Sequence, residues 1–458
     1  MRRREKLPPI SVQVTRSGFD IRIGRRAFST SYPATVWREL SPNLRRVLSE
    51  NIAYASTNFV PLILNTSAVT YNFPAPVFEP IFFKNQLYDM IDVERSDRRK
   101  HLSLIQAFYN LECTFKTGGS TWLEGGDVPQ FRSRRDVAIV PFTFGKESLL
   151  TVALCRELGI EPVLIYCEEP AHPFERDYKL RALETFSRQF KVRTHYISHE
   201  SGLFRYGAAF RGIPKTELGW GAQTTLLVLL LMPFVYRYGA RYMLFGNEHS
   251  NNDTEQYRGW KLYPSGFDQT SGWTGAQSNM ARLLTRGQCS VHSSLEPLEE
   301  SAIFYFLHTR YPEIGRFQFS CSAQHPLRRG SAWCHRCYKC ARMYLFARAF
   351  GIDPAAVGFV GDPFREPGIF SHYFGRDRET GSNQELDFGF YSLWRRKVQT
   401  PFDRDFKMKK LPHLKPWQHY RNFYTTLKPA RNLPPPYEKR LLRLFSSVLK
   451  QLRKNLPS

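Results

Sequence analysis

The stretch DVAIVPFTFGKESLLTVALCRELG, residues 136–159, constrains the fold of this 458-residue chain more than any other. Residues 137–141 form a short apolar run rich in β-branched side chains, as in a strand covered on both faces. Residues 149–158 carry apolar residues at i, i+3 and i+4, the spacing of an amphipathic helix. Between them lies the turn Thr143-Phe144-Gly145-Lys146-Glu147-Ser148. A turn of this kind gathers backbone N–H groups and the positive end of the helix dipole at one point, here beside Lys146 and two hydroxyls. It predicts an anion site, with phosphate as the natural occupant; the competing reading is an ordinary strand-turn-helix corner.

The alternation then repeats. Strands are expected at 163–167, 192–198 and 242–245, and helices at 174–190 and 222–238. Such alternation predicts an α/β fold with a doubly wound parallel sheet, whose ligands gather at the carboxyl ends of the strands. The 143–148 turn lies on that edge, and so does Gly246-Asn247-Glu248-His249, which opens the polar segment GNEHSNNDTEQYRG at 246–259. A solvated loop is the alternative there.

Cys321, Cys334, Cys337 and Cys340 give C-x₁₂-C-x₂-C-x₂-C. Two-residue gaps put thiolates on one small turn where they can share a metal, and Cys321 completes the tetrahedron that structural zinc favours. Four sulfurs leave no open position, so the metal's expected role is structural. An iron–sulfur cluster uses the same four thiolates, and free buried thiols are the third possibility. Half of the eight cysteines crowd this one segment, which favours metal over disulfides in a chain with no export signal.

The flanks are plainer. Residues 1–125 read as an N-terminal α+β domain, with strands at 10–23, a helix at 35–48 and strands again at 59–71. Gly118-Gly119 and Gly125-Gly126-Asp127 mark loops near its boundary. Residues 130–355 hold the alternating pattern and the cysteines, and 356–458 form a basic, proline- and aromatic-rich extension. Residues 391–458 contain 17 Lys or Arg against 3 Asp or Glu, within a net charge of +24 for the chain. Such charge favours polyanionic partners or an anionic membrane surface. Leu441, Leu442, Leu444, Phe445, Val448, Leu449 and Leu452 nevertheless form a helical stripe, which predicts docking onto the body. No long apolar run follows MRRREK, so an exported protein is not expected; the apolar segment 226–235 is too short to span a bilayer and contains Pro233, so it reads as a core helix.

FTFGKES resembles a degenerate form of the SGGxDS loop of the N-type ATP pyrophosphatases, which transfer AMP to a substrate and release pyrophosphate. Thr143 takes the place of the first Ser, Phe144 and Gly145 those of the two Gly, Glu147 that of the Asp and Ser148 that of the last Ser. Phe144 would set a Cβ and a ring where that family's backbone approaches phosphate. The family also carries a G-x-N-x-x-D-like turn facing the nucleotide and its magnesium, to which Asn247, Glu248 and Asp253 correspond. Carboxylates suit Mg²⁺, which prefers oxygen ligands and shares them with phosphates.

The four-cysteine pattern after SLEPLEE, residues 294–300, is similar to that of the 7-cyano-7-deazaguanine synthases. Over most of the chain the resemblance is to the ATP-dependent UDP-N-acetylmuramoyl-L-alanyl-L-glutamate epimerases of peptidoglycan synthesis, carried by PFTFGKESLLT, GNEH and WCHRCYKC. It implies a cytoplasmic isomerase with a pyrophosphate-loop (HUP-like) sheet and a zinc knuckle. The implied cofactors are ATP, Mg²⁺ and structural Zn²⁺, the implied substrate is a UDP-muramoyl dipeptide, and no stable nucleic-acid partner is expected. Thr143, Gly145, Lys146, Glu147, Ser148, Asn247, Glu248 and Asp253 would hold the nucleotide. Epimerisation needs a base on each face of the carbon, and thiol pairs often serve. Cys113, Cys155, Cys167 and Cys289 remain for that task, with Cys155 and Cys167 in core-like patterns; the bases are not assigned. The rival readings are an adenylating tRNA or nucleobase modification enzyme and a non-catalytic nucleotide- or RNA-binding protein.

Overall fold

The computed structural model describes residues 7–96, 103–117, 132–172, 174–213, 215–322, 326–329, 331–375 and 383–458. The glycine loops expected at 118–119 and 125–127 lie outside these residues, as does the MRRREK start. The described strands are β1 (Ile10–Val14), β2 (Gly18–Ile23), β3 (Arg26–Ser31), β4 (Ala68–Tyr71), β5 (Glu112–Phe115), β6 (Arg134–Pro141), β7 (Glu161–Cys167), β8 (Arg193–His199), β9 (Ala240–Phe245), β10 (Glu255–Tyr257), β11 (Trp260–Leu262) and β12 (Ser290–Ser293). Ten of them make one sheet in the order β12-β9-β6-β7-β8-β3-β2-β1-β4-β5, and β10 and β11 form a separate hairpin.

The half β12-β9-β6-β7-β8 is wholly parallel. Its first strand, β6, lies at the centre: the chain proceeds outward through β7 and β8 on one side, then returns to β9 and β12 on the other. The winding therefore reverses between β6 and β9, the place where open α/β sheets leave a crevice at the strands' carboxyl ends. Alternate residues of β6 serve opposite faces. Ala138 and Val140 join one apolar core and Val137 and Ile139 the other. That double burial explains why the strand reads as a continuous apolar run, each large side chain contributing about 1.5–3 kcal/mol.

Helices Lys146–Leu158, Arg176–Phe190 and Glu300–Arg310 feed the first core, and Pro42–Thr57, Gln223–Tyr238 and Ser271–Leu284 the second. Among the described residues no helix is long and apolar enough to cross a membrane. The C-terminal helix Glu438–Asn455 buries Leu441, Phe445, Val448, Leu449 and Leu452 in the first core, with the Phe445 ring 6.0 Å from that of Phe306. The stripe read from the sequence is thus the docking face, and the cations between its members stay in water.

The N-terminal segment differs from an independent unit. β3 pairs antiparallel with β8 through Thr30↔His199 and Ser31↔Ser198, so strands β1–β5 extend the same sheet, and their side chains share the second core. Residues 59–71 are only partly extended. Val60–Ile63 is a helical turn with proline in its first turn, Asn65 reverses the chain at φ 55°, and only then does β4 begin. Local turn chemistry overrode an apolar run that is ambiguous between strand and helix.

Two buried histidines, uncharged in the fold, oppose its stability in acid. The His199 Nδ1 lies 3.2 Å from Thr30 Oγ1 and 3.1 Å from Ser201 Oγ, and burial with Arg205 nearby pushes the imidazole down to about 3. His308 stands 2.6 Å from Gln318 Oε1, and burial pushes it down to about 4. In the unfolded chain both titrate near 6.5, so below that pH the unfolded state binds more protons and stability falls with pH. Buried carboxyls that are raised, such as Glu248, pull the other way over this range, so the histidines are read by difference: between about pH 7 and pH 5.5 the parent should lose roughly 2–3 kcal/mol more in urea unfolding than a His199→Asn, His308→Asn double variant. The same pH dependence in parent and double variant would contradict two neutral buried imidazoles.

Candidate functional site

The carboxyl ends of β6, β9 and β12 lie side by side, so the loops that follow them meet. The first loop turns at Phe144, which adopts φ 63° and is wholly buried. A bulky residue is strained in the left-handed region. Its ring offsets that cost by packing 4.5 Å from Phe142 and edge-on to Phe186 at 6.0 Å. The ring therefore points into the core and not over the loop, which answers the steric conflict expected at this position. The Phe144 carbonyl accepts a 2.8 Å hydrogen bond from Phe319 N.

Gly145 is the N-cap of the helix Lys146–Leu158 and supplies no capping side chain, so the first-turn amides are free of any side-chain cap. A Cβ at Gly145 would come within 2.9 Å of Glu147 Oε2. Thr143 is exposed, its Oγ1 accepting from Gly145 N at 3.4 Å, and Ser148 Oγ donates to the Gly145 carbonyl at 3.1 Å. On the neighbouring strand end, a Cβ at Gly246 would lie 2.6 Å from Glu147 Cβ; only glycine lets the two loops approach this closely.

Lys146, a loop cation that the anion-site reading would set toward solvent, is 4% exposed and turns inward among carboxylates. It pairs with Glu147, lies 3.0 Å from Glu300 Oε1 and 3.8 Å from Glu248 Oε2. Glu300 in turn holds Arg342 at 2.6 Å, and Arg342 lies 3.7 Å from Glu385. Burial opposes the Lys146 charge, but Glu147, Glu300 and Glu248 outweigh it and raise its pKa well above the ordinary value. Burial likewise opposes ionisation of Glu300, yet Lys146 and Arg342 hold its carboxyl down to about 2. Glu248 goes the other way: burial, reinforced by Glu300 and Glu147, pushes it up to about 8 against the pull of Lys146. Its Oε1 accepts from Ser250 Oγ at 2.8 Å, while its Oε2 has no hydrogen-bond partner among the described residues.

The structure therefore brings Lys146, Glu147 and Glu248 together and leaves other candidates apart. Asn247 is buried at the end of β9, its side chain 3.4 Å from Thr274 Oγ1 and its carbonyl accepting from Ser293 Oγ at 2.5 Å. Asp253 is exposed; burial raises its carboxyl against the pull of Lys428, and its own charge bears on Glu299. Glu300, Arg342 and Glu385 were not read as site residues. Glu300 sits in the SLEPLEE turn already noted, but Arg342 and Glu385 reach the site only by tertiary packing.

Cys321, Cys334, Cys337 and Cys340 are all buried, and their sulfurs lie within 4.8 Å of one another. The separations of 3.8 Å (Cys321–Cys337), 3.8 Å (Cys334–Cys340) and 3.4 Å (Cys337–Cys340) match the edge of about 3.8 Å that a tetrahedron with Zn–S bonds of about 2.3 Å requires. A four-iron cluster puts each sulfur on a different iron and a two-iron cluster divides them between two, so either spreads the four sulfurs wider than a single ion does; these separations suit one zinc-sized ion. Cys337 caps the helix Tyr338–Phe350 and Cys340 lies in its first turn, where the helix dipole favours thiolate. His335, between the ligands at φ 66°, makes the tight turn.

The other cysteines form no pair. Cys113 lies on edge strand β5, Cys155 in the helix after the first loop, Cys167 at the end of β7 and Cys289 before β12. Burial pushes Cys113 up to about 11 and the other three to about 12, so all are protonated at neutral pH. No family model matches the chain, and no curated protein matches it either.

Proposed function

We propose that this chain activates a carboxylate with ATP and epimerises the carbon beside it. The substrate in this reading is UDP-MurNAc-L-Ala-L-Glu, whose terminal L-glutamate becomes D-glutamate with release of AMP and diphosphate. The observation that carries the reading is the meeting of the loops after β6 and β9, where an uncapped helix N-terminus adjoins Glu147, Glu248 and Glu300. The resemblance of the 143–148 turn to a pyrophosphate loop supplies the reaction class. Gly145, Thr143 and Ser148 would receive phosphoryl oxygens. Glu147 and Glu248 would hold Mg²⁺, which when bound neutralises charge on the phosphates. The cysteine cage would hold Zn²⁺ as a structural ion.

Activation has a plain chemical purpose. A carboxylate resists loss of the neighbouring Cα proton because the carbanion forms beside a full negative charge; an acyl adenylate delocalises it as a neutral ester does. Solvent exchange of that hydrogen should therefore require ATP. A barrier higher by about 4 kcal/mol slows exchange roughly a thousandfold. In D₂O, the glutamate Cα should gain deuterium with ATP and Mg²⁺ and not with an α,β-methylene analogue. Equal exchange without ATP would refute activation. AMP release with tRNA and none with the muramoyl dipeptide would instead support a nucleobase modification enzyme.

A further inference from the structure

A second buried group of polar side chains lies on the same sheet edge, beyond the ends of β7 and β8, and no step described so far uses it. After β7 the chain folds back on itself, with His172 N bonded to the Glu169 carbonyl at 3.0 Å and Glu175 N to the His172 carbonyl at 3.2 Å. Glu169 is buried and paired with Arg205. The His172 ring stacks on Trp220 at 5.4 Å and lies 6.2 Å from Tyr206, and the Arg205 guanidinium lies over the same Trp220 ring at 5.1 Å. Two atoms in this nest have no hydrogen-bond partner among the described residues although both are shut off from solvent: His172 Nε2 and Trp220 Nε1. Leaving buried polar atoms unpaired is costly, so such atoms call for a ligand.

The two atoms differ in character. Glu175 Oε2 stands 3.6 Å from His172 Nδ1. Burial opposes ionisation of Glu175, but Lys179, 2.6 Å away, and His172 hold its carboxyl down to about 2. A carboxylate facing Nδ1 favours the tautomer with the proton on that side, in which Nε2 keeps the lone pair of a proton acceptor. Trp220 Nε1–H, by contrast, can only donate. A base beside a lone donor is what abstraction of a proton next to a carbonyl needs: the C–H pair moves onto the acyl oxygen, and the donor meets the charge formed there.

The nest also adjoins the phosphate loop. Lys179 covers the Phe319 ring at 5.3 Å, and Phe319 N is the group bonded to the Phe144 carbonyl.

We infer that His172 Nε2 removes the Cα proton of the activated acyl substrate while Trp220 Nε1–H hydrogen-bonds the acyl oxygen, with Glu175 as the residue that positions His172. The C–H bond breaks, an N–H bond forms on His172, and the electron pair is held as an enolate until a proton from solvent returns to the opposite face. This inference rests on the proposed ATP-dependent epimerisation.

The test is a split between two half-reactions, measured with UDP-MurNAc-L-Ala-L-Glu, ATP and Mg²⁺ in D₂O. His172→Asn should keep diphosphate release while deuterium incorporation at Cα falls by roughly 10²–10⁴-fold, the usual worth of a general base. Trp220→Phe keeps the ring and removes only the donor, so it should lower exchange by roughly 10–10³-fold with release again retained. Exchange undiminished in both variants overturns the inference. So does parallel loss of release and exchange in variants that still melt and bind ATP as the parent does, because these side chains would then serve adenylation or the fold. If the parent enzyme itself releases no diphosphate, the epimerase reading falls, and this inference with it; if the parent releases diphosphate and only the variants retain full exchange, this inference alone falls.

Discussion

Lys146→Ala is expected to destabilise the protein by about 3–5 kcal/mol, in addition to abolishing diphosphate release, because it removes one partner of a buried ion cluster. A solvent-facing loop lysine would cost within about 0.5 kcal/mol. The difference follows from burial: Lys146 is 4% exposed, and it neutralises Glu147, Glu248 and Glu300 together. Without it Glu300 keeps Arg342, but Glu248 keeps only the Ser250 hydroxyl. The cheapest response is protonation of Glu248, whose carboxyl is already pushed up to about 8. The cost of the substitution should therefore grow as pH rises above that value and shrink below it. Lys146→Ala combined with Glu248→Gln should recover part of the loss, since the neutral amide needs no counter-charge. Urea midpoints for the two single variants and the double variant close the cycle. Additive changes would mean that Lys146 and Glu248 do not share a charge environment, and a midpoint for Lys146→Ala equal to the parent's would return the lysine to solvent.

What the sequence disclosed and withheld about this site follows from the range of each interaction. The strand, turn and helix around Lys146 were legible because their signals are local: a doubly buried apolar run, a glycine at the helix start, an i, i+3, i+4 stripe. The cysteine cage was legible because two of its gaps are two residues long. The inward course of Lys146 was not, since it depends on Glu300 and Arg342, which approach only when β6, β9 and β12 line up and the cysteine-bearing helix packs against the helix Glu300–Arg310. Phe144 misled for a related reason. A side chain in a glycine position was read as an obstruction, whereas the left-handed turn swings the ring into the core beside Phe186. The His172 nest carried no spacing signal at all, because His172 and Trp220 are 48 positions apart and meet only through stacking. The antiparallel join of β3 to β8 was equally silent: two short strands with mixed faces give no hint of which sheet they will extend.

Cys337→Ser should have the widest effect of any single change. The parent is expected to contain about one zinc per chain by elemental analysis and the variant none, because a serine hydroxyl is a poor fourth ligand in a cage that needs thiolate. Apparent binding energies of about 10–16 kcal/mol for structural zinc in small peptides exceed the whole stability of an ordinary domain, about 5–15 kcal/mol, so even a fraction of that value decides whether this region folds. The damage should also travel. Phe319, two residues before Cys321, is hydrogen-bonded to the Phe144 carbonyl, and Arg342, two residues after Cys340, pairs with Glu300 and so with Lys146. The turn at residues 143–148 is thus tied to the cage at both ends of the cysteine segment. Hydrogen exchange should accordingly show faster exchange at residues 144–149 in Cys337→Ser and in chelator-treated parent protein, and far less change on β1–β5, which are packed in the other core. A metal-free preparation of the parent with unchanged exchange at 144–149 would show that the cage and the loop are independent, and one with neither zinc nor iron when freshly purified would dispose of the metal centre altogether.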